Sequence, residues 1–203
     1  MRRPPSTPRP AGRPTGPFAV LLMALLAAPP AAADPAEEAA WAAFARPGTV
    51  ALMRYAYAPG TGDPADFRLD DCQTQRNLND EGRAQARATG EAIRKRGIRV
   101  DRVLSSPWCR CKETAELLRF GPVEEQPWLQ SVHAAPDQEG PRTRVLKAFI
   151  AGLTKDSKAF IVTHQFNIRA LVGRPTESGA MVIVEPTADG GVKYLGSIRV
   201  DAK

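Results

Sequence analysis

Two patterns of apolar and polar positions alternate along the chain. Compact apolar runs recur at residues 49–54, 100–104 and 159–163. They are too short for helices and bounded by turn-forming residues, so they read as buried strands. Helical stretches lie between them. Asn79 caps a helix over residues 80–96 that Gly97 closes, and residues 142–153 place Val145, Leu146, Phe149 and Ile150 on one face. Asp34 caps a short helix with Pro35 in its first turn and Pro47-Gly48 as its stop, and Pro107 opens another running to about Arg119. Residues 165–171 form a short helix, and 181–184 with 192–200 form a terminal strand pair. Residues 58–79, rich in Gly, Pro, Asp and Asn, read as a long loop.

Strands alternating with helices predict an α/β fold. The expected form is a three-layer α/β/α domain with a mostly parallel central sheet and helices on both faces. Ligands bind such sheets beyond the carboxyl ends of the strands. Arg54 ends the first apolar run, Arg110 follows Ser105-Ser106, and His164 follows the third run. Two guanidiniums and an imidazole converging there make a phosphate site, because Arg presents planar paired donors to phosphoryl oxygens and helix starts add amide donors. His133 lies among Ala, Pro and Asp in a loop and reads as surface.

Charge changes the picture only until it is located. The chain has 28 Lys plus Arg against 22 Asp plus Glu, a formal +6. Arg2, Arg3, Arg9 and Arg13 fall in the first 33 residues, which hold no acid, so the remainder carries only +2. The basic balance belongs to the leader and gives no reason to expect a nucleic-acid partner. After that basic stretch comes an apolar run from Phe18 to Ala28, too short for a comfortable transmembrane helix, and then the small-residue site Ala31-Ala-Ala33. This order predicts a secretory signal peptide over 1–33, a mature domain over 34–203 with no stable membrane span, and a periplasmic or secreted protein.

Three cysteines, Cys72, Cys109 and Cys111, would then sit in an oxidising space. An odd number allows at most one intramolecular disulfide, expected from Cys72 to Cys109 or Cys111.

Four segments, in order, resemble the histidine phosphatase superfamily, the phosphoglycerate-mutase-like fold. They are Val50-Ala-Leu-Met-Arg54-Tyr55-Ala56, Leu78-Asn-Asp-Glu-Gly82-Arg-Ala-Gln85-Ala86, Ser105-Ser106-Pro107-Trp108-Cys109-Arg110-Cys111-Lys112-Glu113-Thr114-Ala115, and Val162-Thr163-His164. The resemblance implies that Arg54, Arg110 and His164 bind the phosphoryl group, with no metal and no other cofactor. It places Tyr55 where the family has its nucleophilic histidine. It also points to the region of Asp137 and Glu139 for a general acid, with Asp137 the first choice.

The expectation is an exported protein that recognises a phosphorylated small molecule or other phosphate-bearing ligand, with lost or much reduced phosphomonoesterase activity. A phenol is mostly protonated at neutral pH, unlike the imidazole it would replace. Two alternatives stay open. One is an active phosphomonoester hydrolase using Tyr55 or direct water attack activated by His164. The other is a structural or interaction module whose pocket Tyr55 occludes.

Overall fold

A computed structural model describes residue 1 and residues 34–202, so the expected signal peptide lies outside the described residues. Six strands form one sheet in the order β3-β2-β4-β1-β5-β6. They are β1 (Val50–Arg54), β2 (Arg102–Ser105), β3 (Val123–Glu125), β4 (Ala159–Thr163), β5 (Ala180–Pro186) and β6 (Val192–Arg199). The β1–β4, β2–β4 and β2–β3 pairs are parallel, while β5 runs antiparallel to both β1 and β6. The expected α/β architecture is present, with the terminal pair forming an antiparallel edge.

Alternation along the strands divides the core into two layers. Ala51 and Met53 of β1 face one side, with Phe160 and Val162 of β4. There they meet α1 (Pro35–Ala45) through Ala40 and Phe44, α2 (Asp80–Lys95) through Ile93, and α3 (Cys109–Leu117) through Cys111 and Ala115. Val50, Leu52 and Ile161 face the other side. They pack on Leu146 and Ile150 of α4 (Glu139–Ala151) and on Ile168 and Leu171 of α5 (Gln165–Val172). Strands apolar on both faces are what a doubly covered sheet demands.

Four elements differ from the sequence reading. β3 was not expected: Val-Glu-Glu carries no apolar run, yet it pairs with β2 at the sheet edge. β2 begins two residues later than the apolar pattern suggests. α4 starts at Glu139, and the turn that buries Leu146 and Ile150 leaves Val145 exposed. α3 begins at Cys109 rather than Pro107, and the Cys109 amide donates to Gln75 Oε1 at 3.0 Å. A side chain from the loop before α2 thus supplies the cap that Trp108 does not.

Candidate functional site

The chain leaves β1 through three consecutive amides, each held by a different element. Tyr55 N donates to Thr163 O at 3.1 Å, Ala56 N to Thr114 Oγ1 at 3.0 Å and Tyr57 N to Gln85 Oε1 at 3.1 Å. Gly82 lies so close beneath Tyr57 that any Cβ there would run into the Tyr57 carbonyl. The Gly82 and Gln85 segment of α2 and the Thr114 segment of α3 therefore fix the backbone on which Tyr55 stands.

Beyond the carboxyl ends of β1, β2 and β4 lies a cleft of about 520 Å³ whose lining includes Arg54, Tyr55, Arg110 and His164. The structure brings these four expected residues together. Asp137 is absent from the lining. It sits exposed on a turn at Pro136–Gln138, where its carboxylate accepts from Gln138 Nε2 at 2.7 Å.

Two charged cleft residues escaped the sequence reading, both in the 58–79 loop. Asp63 accepts from Arg110 Nη1 at 2.7 Å and Nη2 at 3.1 Å, from Trp108 Nε1 at 3.2 Å and from Arg76 N at 3.1 Å. Burial works against ionisation of Asp63, but the Arg110 guanidinium and the other donors hold its carboxyl below the usual range. Arg76 donates to Ala58 O at 2.6 Å, to Gly62 O at 2.8 Å and to Tyr55 Oη at 2.8 Å. Gly60 and Gly62 take left-handed backbone conformations at φ +84° and +72°, which lets this loop double back over the site. Only the glycines and the Asp-Pro step hint at a tight turn in the sequence, and nothing local says where it lands.

The electrostatics centre on Tyr55, which is only 5% exposed. The guanidiniums of Arg110, Arg54 and Arg76 lie 4.8, 5.4 and 5.5 Å from its ring centre. Burial raises the phenol's pKa, but the three cations outweigh it and hold the group below its ordinary range. His164 is enclosed between Tyr55 and Trp108, and its Nε2 is 2.8 Å from Ser106 Oγ. Burial, reinforced chiefly by Arg110, keeps its imidazole well below the ordinary range and hence neutral. Arg54 donates to Gln165 Oε1 at 2.6 Å and Thr176 O at 3.1 Å. The Nε atoms of Arg54 and Arg110 are buried without a hydrogen-bond partner, a costly state for a cationic donor. A tetrahedral oxyanion matches such a donor set in charge and hydrogen-bonding capacity.

A disulfide joins Cys72 to Cys109, tying the loop that carries Asp63 and Arg76 to the helix that carries Arg110. Cys111 is free and buried, and burial pushes its thiol up to about 12. Among the described residues, no cluster of three or more His, Cys, Asp or Glu side chains is placed to hold a metal ion. No helix there is long and apolar enough to cross a membrane.

The model of the histidine phosphatase superfamily (branch 1) matches residues 69–149, a span that includes Gly82, Gln85, Arg110 and Asp137. No curated protein matches the sequence. Among solved structures, the chain is similar to the protein histidine phosphatase SixA complexed with tungstate. The two share 19% identity, with 74% of this chain and 96% of that one covered at a TM-score of 0.53. It is also similar to a mycobacterial glucosyl-3-phosphoglycerate phosphatase (17% identity, 78% and 100% covered, TM-score 0.54). The protein called mycobacterial hydrolase 1 is another such structure (15% identity, 77% and 100% covered, TM-score 0.58). The chain carries the fold, and over residues 69–149 the sequence pattern, of the histidine phosphatase superfamily.

Proposed function

We propose that this protein binds a phosphate-bearing ligand in the Arg54–Arg76–Arg110 cleft and has lost, or nearly lost, phosphomonoester hydrolysis through a phosphohistidine. One observation carries the reading: three guanidiniums and His164 surround Tyr55, the residue that the sequence resemblance sets in the place of the family's nucleophilic imidazole. Fixed cations can hold a phosphoryl group and stabilise its charge without transferring it. Covalent catalysis also needs an atom that attacks phosphorus and then leaves it readily.

A second reading has its own support. The Tyr55 phenol is lowered by the surrounding cations and accepts from Arg76, as an activated phenolate nucleophile would. One experiment separates the two. Calorimetry should show phosphate binding to the wild type, while turnover of phosphomonoesters is low, unaffected by Tyr55→Phe and raised at least about tenfold by Tyr55→His. Robust turnover abolished by Tyr55→Phe would favour the phenolate.

Export belongs to the same proposal. The signal-like leader supports it, and so does the Cys72–Cys109 disulfide, which suits an oxidising compartment. Mass spectrometry of the extracytoplasmic fraction should find a chain beginning at Asp34.

A further inference from the structure

The cleft is far larger than a phosphate group requires. Its volume of about 520 Å³ falls in the range of small-molecule sites, whereas an inorganic phosphate needs only the arginine-lined part. Aromatic rings furnish much of the rest. Phe67 stacks on Trp108 with centroids 5.2 Å apart and planes 17° from parallel. Trp108 then meets His164 edge-on at 5.1 Å, and His164 meets Tyr55 at 5.5 Å. Four rings thus run in file from the surface to the arginines: Tyr55, His164 and Trp108 are buried, and Phe67 is half-exposed. A second pair lines the same cleft from another part of the chain. His133 stacks on Phe166 at 4.4 Å and 11°, with the Arg169 guanidinium 4.9 Å from the Phe166 ring centre. His133 is exposed and Phe166 half-exposed.

We infer that the ligand is a phosphate monoester of a flat aromatic group, with its phosphoryl end on Arg54, Arg76 and Arg110 and its ring on the Phe67–Trp108 and His133–Phe166 surfaces. The inference rests on the phosphate-binding reading and adds the class of the esterified group. Charge complementarity fixes the phosphoryl end, because among the described residues Asp63 is the one carboxylate lining the cleft and it already pairs with Arg110. The ring surfaces select the other end. Stacked aromatic side chains offer a flat apolar face that a planar group covers fully and a sugar or short alkyl chain does not.

The test is a calorimetric comparison of inorganic phosphate, glycerol phosphate and naphthyl phosphate on the full mature chain carrying Tyr55. Naphthyl phosphate should bind about tenfold more tightly than the other two. Phe67→Ala and, separately, His133→Ala should each remove a several-fold part of that gain while leaving inorganic phosphate unchanged. His133 is exposed, so its variant tests the stacking surface even if Phe67→Ala disturbs the loop. Equal affinity for the three ligands would overturn the aromatic preference while leaving phosphate recognition intact, as would a preference that survives both substitutions. Failure of inorganic phosphate to bind would instead sink the underlying reading.

Discussion

Both terminal nitrogens of Arg110 are engaged by the carboxylate of Asp63, an internal anion seated on the side chain that a phosphoryl group would need. A ligand reaching Arg110 competes with Asp63. Asp63→Asn keeps the shape but removes the charge, leaving a nearly buried guanidinium less well compensated. The variant should lose about 1–3 kcal/mol of stability in phosphate-free buffer. Added phosphate should then raise its Tm more than it raises that of the wild type. Equal phosphate shifts in the two proteins would mean that Asp63 and the ligand do not share Arg110. The pH sign is also fixed. The Asp63 pKa is lowered in the folded state, so its contribution is present above the unfolded value near 3.9 and fades as pH falls through the folded one.

The Cys72–Cys109 bond closes a sequence separation of 37 and pins the Asp63–Arg76 loop beside Arg110. Replacing both cysteines with serine should cost about 3–4 kcal/mol by loop entropy, less any relief of strain. Phosphate affinity should fall with it. Denaturant unfolding and calorimetry on the same variant check the two effects. Unchanged affinity in a destabilised variant would show that the loop holds its place without the bond.

Most of the scaffold was legible because it is written locally. The Val50–Arg54 and Ala159–Thr163 strands are apolar at every position but the last and pair in register at the sheet centre. Arg54 ends the first strand, and Tyr55 and His164 directly follow the two, so reading the strands located the residues. β3 was missed because an edge strand can be short and polar, drawing its hydrogen bonds from β2 alone. Asp63 and Arg76 were missed for another reason. Their positions depend on two left-handed glycines, a disulfide and contacts with α3, none of which leaves a periodic trace. Asp137 lies in the region to which the resemblance points, but the turn that carries it faces solvent.

His164 makes the molecule acid-sensitive well above the carboxylate range. Its folded pKa lies far below the unfolded value near 6.5, so between these limits the unfolded state binds the extra proton. Stability should therefore decline as pH falls below about 6.5 and be insensitive to this group above it. Denaturant midpoints from pH 5 to 7 should slope in the wild type and flatten in His164→Asn. A slope unchanged in that variant would assign the sensitivity elsewhere.

Gly82 and Gly90 both lie on the buried side of α2, but they abut different things. A Cβ at Gly82 would strike the Tyr57 carbonyl, and one at Gly90 the Leu118 carbonyl at the end of α3. Either alanine variant should be destabilised by about 1–3 kcal/mol through overpacking. Only Gly82→Ala should also weaken phosphate binding, because Tyr57 is two residues from Tyr55. Equal loss of binding in both would mean that the site responds to α2 as a whole.

Tyr55 offers a direct reporter of the site. The chain has three tyrosines, and among the described residues Tyr55 is the one within reach of three guanidiniums. Ultraviolet titration should find one phenol ionising below the ordinary value near 10 in the wild type, and that phenol should vanish in Tyr55→Phe. Arg76→Met removes the donor to Tyr55 Oη and one of the three cations, so the low phenol should move upward. Phosphate should do the same without mutation: a bound anion offsets the cations that favour phenolate and adds a negative neighbour that opposes it. By linkage, ionising Tyr55 must weaken phosphate binding, so affinity should drop as pH rises through the low phenol pKa in the wild type and not in Tyr55→Phe. If phosphate binds yet leaves every phenol where it was, the anion sits away from Tyr55 and the arginine cleft is not its site.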